Sequence, residues 1–166
     1  RSVKTMKRWL DKMGIKDNYE EIACLLVNDN IKATNKKTIL QLYGKNKDVK
    51  KRKIIAKAIA NSYRNIREKY TKFFIKDKEP EIRELFISHD SKLFLKDKDP
   101  KIRKKAIKIY FEEFSYYYKE RCEEKIKVLK SLLKTEEDKY IKQMLKRRLT
   151  KGENHITKCF SSNNFF

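Results

Sequence analysis

Hydrophobic side chains recur along most of this chain three and four residues apart, which is the spacing that lines one face of an α-helix. Met6 and Leu10 belong to the first such stripe, and Gly14 is a predicted stop for the helix that carries it. The pattern returns after each short polar stretch as far as Leu149. It predicts about seven or eight helices joined by short turns.

The longest stripe predicts one uninterrupted helix over residues 49–74. Ile55 and Ile59 share a face of this helix, and no glycine or proline interrupts it. The last stripe ends at Gly152, and no period is present after it. We therefore expect residues 153–166 to form a flexible tail.

Polar residues at several predicted helix starts can cap the first free amide groups. Asp17 or Asn18 is placed to cap the second helix, and Asn35 is placed to cap the third. Thr135 with Asp138 approximates a capping box for the last helix.

One motif recurs at four of the predicted turns. An acid or an asparagine is followed two residues later by an acid, and four residues after that by a cation. The motif resembles the turn of HEAT-type helical repeats, in which two antiparallel helices form a hairpin. Its copies begin 31, 20 and 39 residues apart, which favours an irregular stack over a regular solenoid. The copies are Asn46-x-Asp48-x-x-Lys51-Arg52, Asp77-x-Glu79-x-x-Ile82-Arg83, Asp97-x-Asp99-x-x-Ile102-Arg103 and Glu136-x-Asp138-x-x-Ile141-Lys142.

The predicted fold is all-α, an irregular stack of helical hairpins in a HEAT-like right-handed bundle. Only 3 glycines and 2 prolines occur in 166 residues, which opposes a β-sandwich or a doubly wound α/β fold. We expect an N-terminal bundle over residues 1–75, and a second set of helices over 76–152 packed on it.

The charge of the chain indicates a polyanion as its partner. Its 44 Lys and Arg against 23 Asp and Glu give a net charge of +21, which is more than solubility requires. Nucleic acid, or an assembly that carries nucleic acid, is the partner that this excess favours. An anionic membrane surface or an acidic protein is the alternative.

The positive charge is concentrated in three segments. Residues 45–72 carry +9, and residues 96–108 and 142–151 carry +5 each. Lysine greatly outnumbers arginine, which predicts contacts to the phosphate backbone rather than reading of bases. The candidate nucleic-acid-binding residues are Lys50, Lys53, Lys57, Arg64, Arg67, Lys101, Lys104, Lys105, Lys108, Lys146, Arg147 and Arg148.

Candidate chemistry is sparse. The chain has no phosphate-binding glycine loop and no nucleophile elbow, and its 3 Cys and 2 His lack zinc-ligand spacing. We therefore expect a non-catalytic protein without a metal or a cofactor. The odd number of cysteines favours a reducing compartment, the nucleus or the cytoplasm. No apolar run is long enough for a membrane span, and the start at Arg1 leads us to expect a piece of a longer or processed protein.

A few aromatic and acidic residues have two interpretations. Tyr116 to Tyr118, Phe165 and Phe166 could stack on unpaired bases, although Tyr117 is expected in the core. Trp9 is likewise predicted to be a core residue. The glutamates near positions 112–124 are expected to form surface ion pairs with nearby lysines rather than a metal site.

Two stretches of the chain resemble transcription elongation factor TFIIS. Residues 31–67 contain Ile39-Leu40 in a short helix and Ala56-Lys57-Ala58-Ile59 in a longer one, as at the end of the family's N-terminal helical domain. Residues 100–158 are similar to the end of its central domain. The zinc ribbon that carries the family's transcript-cleavage activity is absent from this sequence. The resemblance implies a docking module on the transcription machinery.

Three hypotheses for the function follow. The first is a non-catalytic module that lays a lysine-rich face on the nucleic-acid backbone in a transcription, ribosomal or chromatin assembly. The second is a peptide-binding adaptor of the elongation-factor type, with a groove between helices for a disordered segment. The third is a helical-repeat DNA glycosylase for alkylated bases, which would need Trp9 near Asp90, Asp97 or Asp99.

Overall fold

The computed structural model describes residues 2–112 and 119–160, apart from the side chains of 119, 159 and 160. Within these ranges every regular element is helical, which confirms the predicted all-α fold of about eight helices. The predicted aromatic residues Tyr116, Tyr117, Tyr118, Phe165 and Phe166 lie outside the described ranges.

The chain forms two compact units, one over residues 1–89 and one over residues 90–166. This division differs from the predicted boundary after residue 75. The segment after that residue stays with the first unit because its short helix Pro80–Glu84 packs on the helix Val49–Ala60. The buried ion pair between Arg52 and Asp77 also joins this segment to α4.

Over its described residues, 2–89, the first unit contains six α-helices and a 3₁₀ turn at Thr71–Phe73. Helix α2 packs on α4, and α3 contacts α1, α2 and α4. The helices are α1 (Val3–Lys12), α2 (Tyr19–Val27), α3 (Ala33–Tyr43), α4 (Val49–Ala60), α5 (Arg64–Tyr70) and α6 (Pro80–Glu84).

The core of the first unit contains the predicted apolar stripes. Met6 and Leu10 of α1 are fully buried, while Trp9 is only half-buried. Phe74 and Phe86 stack with their ring centroids 5.7 Å apart. Removing such side chains from water is the main favourable contribution to the stability of this unit.

The described part of the second unit contains three α-helices, α7 (Pro100–Tyr110), α8 (Lys119–Thr135) and α9 (Lys139–Phe160), and a 3₁₀ turn at Ser91–Phe94. Helix α8 packs along α9, and α7 contacts α9 and the 3₁₀ turn. Ile102, Ile107, Phe111, Leu129 and Leu145 are among its buried residues.

The helix predicted over residues 49–74 is interrupted between Ala60 and Arg64. Ser62 takes part in the interruption, because its hydroxyl donates a 2.7 Å hydrogen bond to the carbonyl of Ile59. Tyr63 then adopts an extended backbone and precedes the first turn of α5. Because neither glycine nor proline marks this break, the apolar period led to the prediction of one continuous helix.

The last helix extends beyond its predicted end at Gly152. Gly152 is buried inside α9, and the apolar face continues past it to the half-buried Ile156. Glu153 pairs with Lys130 of α8 at 2.9 Å. The first eight residues of the predicted flexible tail, 153–160, are therefore helical, and the others lie outside the described ranges.

The helix caps agree with prediction at some positions and differ at others. Asn18 caps α2 by accepting a hydrogen bond from the amide of Glu21, and Asp138 caps α9. Asn35 does not cap α3, because that helix already begins at Ala33. Thr135 is the last residue of α8 rather than the start of a capping box.

Candidate nucleic-acid interface

Helix α4 positions the first group of predicted cations. Lys50 and Lys57 are exposed and lie seven residues apart, which places them on one face of the helix. Lys53 lies between them and forms an exposed ion pair with Glu81 of α6, with Nζ and Oε2 2.5 Å apart. The twelve residues of α4 include no acid, so the face has no acidic partner within its own helix.

Along one uninterrupted helix over residues 49–74, five cations would share a face and form a basic ridge, namely Lys50, Lys53, Lys57, Arg64 and Arg67. The structure does not continue this predicted ridge to Arg67. Arg64 and Arg67 lie on α5, beyond the interruption after Ala60. Arg64 pairs with Glu68 at 2.6 Å, and the Nη1 group of Arg67 donates to the carbonyl of Ser62 at 3.0 Å. These two guanidinium groups hold local structure, so the single ridge of five cations was a wrong prediction.

Helix α7 positions the second group. Lys101, Lys104, Lys105 and Lys108 are all exposed, and the eleven residues of the helix include no acid. The ammonium group of Lys104 lies 5.2 Å from the ring centroid of Tyr140, a cation–π distance.

The third group lies on α9, which packs on α7 in the same unit. Lys146 and Arg147 are exposed. Arg148 is half-buried, and its Nη1 group donates to the carbonyl of Phe111 at 2.7 Å. Arg148 therefore holds the residue that directly follows α7.

Six of the twelve predicted cations are exposed and form neither an ion pair nor a cation–π contact with the residues that the structure describes. Such ammonium and guanidinium groups can contact phosphate oxygens without first breaking an ion pair. The six residues are Lys50, Lys57, Lys101, Lys108, Lys146 and Arg147.

Three cations of the motif that recurs at four turns, Arg52, Arg83 and Arg103, have a different role, which sequence reasoning missed. The Nη1 group of Arg52 donates to the carbonyls of Asn46 and Lys47 at 2.6 and 3.2 Å. Arg83 and Arg103 donate in the same way to the carbonyls six and five residues before them. The spacing of six residues from the first residue of the motif to the arginine was the sequence signal for this role.

Two of these arginines also join successive turns. Arg52 binds the carboxylate of Asp77 with two hydrogen bonds of 3.0 and 3.1 Å. Arg103 binds the carboxylate of Glu136 in the same way, at 2.9 and 2.7 Å. Since Arg52 is buried, it belongs to the frame of the first unit and not to the cationic surface.

The two carboxylates have lowered pKa values. Burial alone would raise the pKa of Asp77, but hydrogen bonds from Arg52 and from the amide of Glu79, with the positive charges of the arginines, hold it below its ordinary value. The pKa of Glu136 is lowered against its burial in the same way, by Arg103 and by the amide of Asp138.

Two of the aspartates that the glycosylase hypothesis considers, Asp97 and Asp99, take part in local hydrogen bonds of their turn. Trp9 lies on α1 in the first unit, whereas Asp97 and Asp99 belong to the second unit. An oxygen of Asp97 accepts a hydrogen bond from the amide of Asp99, and Asp99 caps α7.

One glutamate near the start of α8 forms a surface ion pair. Glu124 pairs with Lys92 of the 3₁₀ turn at 2.9 Å. In the described part of the chain, no three His, Cys, Asp or Glu side chains lie close enough to hold a metal ion. No helix in the described ranges has the length and apolar character needed to cross a bilayer.

Cys24 is an exposed free thiol, and the side chain of Cys122 is buried. Burial makes a thiol behave as a small hydrophobic side chain, so Cys122 contributes to packing in the second unit.

Comparison of the chain with protein-family models, curated proteins and solved structures gives no match.

Proposed function

We propose that this protein is a non-catalytic module that binds the phosphate backbone of nucleic acid through the exposed cations of α4, α7 and α9. One observation carries the proposal. Helices α4 and α7 contain no acidic residue, yet each exposes lysines seven residues apart that form no ion pair with the described residues. Keeping such surfaces uncompensated costs folding free energy through self-repulsion, and a polyanion relieves it.

The residue types determine the mode of binding. Lysine is a flexible point charge, whereas reading of guanine depends mainly on the planar fork of arginine. The interface therefore tracks phosphates with little preference for base sequence. We expect the module to bind nucleic acid within an assembly of transcription, translation or chromatin.

The test is a titration of binding to duplex DNA and to single-stranded RNA at increasing salt, followed by fluorescence anisotropy. The logarithm of the binding constant is expected to fall linearly with the logarithm of salt concentration, with a slope of about −0.9 per phosphate contact on duplex DNA. Lys50→Gln/Lys57→Gln and Lys101→Gln/Lys108→Gln should each reduce that slope by about one to two.

A matched control is provided by α8. Lys127 and Lys134 are also exposed and also seven residues apart, but their helix contains Glu120, Glu123 and Glu124. Lys127→Gln/Lys134→Gln removes the same charge and should leave the slope near that of the unchanged protein. Equal losses in all three variants, or no binding at low salt, would contradict the proposal.

A second candidate function, a peptide-binding adaptor, is favoured by one cavity in the first unit. A cavity of about 560 Å³ is lined by residues of α2 and α4 and by the segment after α4, in which Tyr63 is 77% exposed. Its apolar lining includes Ala23, Val27 and Ala58. Binding of an acidic peptide that persists at high salt and is lost in Tyr63→Ser, without affinity for nucleic acid, would favour this second function.

A further inference from the structure

A lysine-lined cavity of about 490 Å³ lies between the first two copies of the turn motif. Two lysines flank the first residue of the motif in each of these turns, and a fifth comes from the 3₁₀ turn that precedes the second copy. All five side chains are exposed. We call this cavity the lysine groove, and its lysines are Lys45, Lys47, Lys72, Lys76 and Lys78.

The walls of the lysine groove are fixed to each other. Arg52 lines the groove and hydrogen-bonds both turns, through the carbonyls of Asn46 and Lys47 on one side and the carboxylate of Asp77 on the other. The side-chain amide of Asn46 also donates to the hydroxyl of Tyr19 at 2.6 Å. The lysines therefore extend from a preorganised backbone, which lowers the entropy cost of binding a ligand between them.

The positive charge of the lysine groove is not neutralised by the protein. Asp77 is the only acid in its lining. Both oxygens of that carboxylate already accept hydrogen bonds from Arg52, and one also accepts from the amide of Glu79. Among the residues that the structure describes, the five lysines form no ion pair.

We propose that the lysine groove is a binding site for a ligand with two or more phosphate groups. Five lysines from two successive turns and a 3₁₀ turn line one cavity, and a single phosphate would fill only part of it. Adjacent phosphates of a nucleic-acid strand and a free polyphosphate present the same chemistry to it. None of the five lysines belongs to the faces of α4, α7 and α9, so this inference and the proposed function can fail separately.

The second unit contains an equivalent groove with a different charge. A cavity of about 400 Å³ lies between the third and fourth copies of the motif, and Arg103 joins its two turns as Arg52 does in the first unit. Lys96 and Lys98 flank the third turn, but Glu136 and Glu137 occupy the fourth. With Asp97 in the lining, cations and acids balance, so this groove should not bind an anion.

The first experiment measures binding of inorganic tripolyphosphate to the whole chain by titration calorimetry at low ionic strength. Lys45→Gln/Lys47→Gln and Lys76→Gln/Lys78→Gln each remove two charges from one wall of the lysine groove. Each variant should weaken tripolyphosphate binding by about fivefold or more, because each removed ammonium takes away an ion pair with a phosphate. Lys45→Arg/Lys47→Arg keeps the charge and should keep the affinity.

Lys96→Gln/Lys98→Gln is the matched control, since it removes two charges from the equivalent place in the second unit. It should change the affinity by less than about twofold, because neither lysine lines the lysine groove and neither can contact a ligand bound there. Equal weakening by the groove variants and this control would overturn the proposal, since it would show a response to net charge alone. Absence of tripolyphosphate binding by the unchanged protein would also overturn it.

A competition experiment distinguishes the two sources of phosphate. If a short oligothymidylate displaces tripolyphosphate, and the groove variants weaken both ligands, the natural ligand is a nucleic-acid strand. If tripolyphosphate binds in the groove and the oligonucleotide does not displace it, the natural ligand is a free polyphosphate. The proposed function would fail separately, by showing no response of nucleic-acid binding to the variants of α4 and α7.

Discussion

Arg52 and Asp77 are buried against each other although 25 residues separate them in the chain. Their side chains are 4% and 8% exposed, and two hydrogen bonds join the guanidinium group to the carboxylate. The same guanidinium group binds two carbonyls of its own turn. One side chain therefore sets the distance between two successive turns of the first unit.

Asp77→Asn is expected to destabilise the first unit strongly. The substitution leaves the buried guanidinium group of Arg52 without its counter-charge, and breaking a buried pair in this way costs about 3–5 kcal/mol. Urea unfolding followed by circular dichroism measures the loss. Glu81→Gln is the control, because it removes an exposed pair with Lys53, for which a loss below about 1 kcal/mol is expected.

Arg52→Lys is expected to be nearly as destabilising as Arg52→Met. A lysine has one ammonium group and cannot bind the carboxylate with two parallel hydrogen bonds while also reaching two carbonyls. In the first unit, the unfolding free energies of these two variants should therefore fall close together. A value for Arg52→Lys close to that of the unchanged protein would show that charge alone, and not the fork of donors, holds the turns.

The unfolding free energy is expected to fall in acid because of Asp77 and Glu136. Their pKa values are lowered in the folded protein relative to ordinary values of 3.8 and 4.5. A lowered pKa contributes stability that is fully present above the unfolded-state value and is lost as the pH falls through the folded-state value. Stability should therefore decrease as the pH drops below about 4.

Urea unfolding across the acid range measures this effect. Asp77→Asn/Glu136→Gln should be less stable near neutral pH and show a flatter profile in acid, because it has lost both lowered pKa values. An equally steep profile in this variant would assign the acid sensitivity to other carboxylates.

The pattern of apolar residues was sufficient to predict the fold class and most helices, because burial imposes the helical period on the sequence. It did not predict the interruption at Ser62, since a serine hydroxyl that bonds a backbone carbonyl leaves no trace in that period. The same pattern also predicted an end for the last helix, at Gly152, that lies before its observed end. Gly152 is buried within α9, where packing against α8 outweighs the low helix propensity of glycine.

The positive surface could be predicted only as clusters of charge. Sequence counting treats the buried Arg52 and the exposed Lys50 as equal cations, and only three-dimensional contacts separate them. The lysines beside Asn46 and Asp77 were visible in the sequence, but the groove between them depends on two turns being joined by Arg52. Long-range pairing of this kind is not encoded in a local period.

Added salt is expected to stabilise the unchanged protein against urea. The net charge of +21 makes repulsion among exposed cations the dominant surface electrostatic effect. Raising sodium chloride from about 0.01 M to about 1 M shortens the Debye length from about 30 Å to about 3 Å, which screens that repulsion. The midpoint of urea unfolding should therefore rise with salt.

Removal of exposed charges should reduce this salt effect. Lys50→Gln/Lys57→Gln/Lys101→Gln/Lys108→Gln takes away four cations that form no ion pair with the described residues, so repulsion in the folded state is weaker from the start. Its unfolding midpoint at low salt should exceed that of the unchanged protein, and the two should converge at high salt. A midpoint that falls with salt in the unchanged protein would mean that exposed ion pairs such as Lys53 with Glu81 outweigh the repulsion.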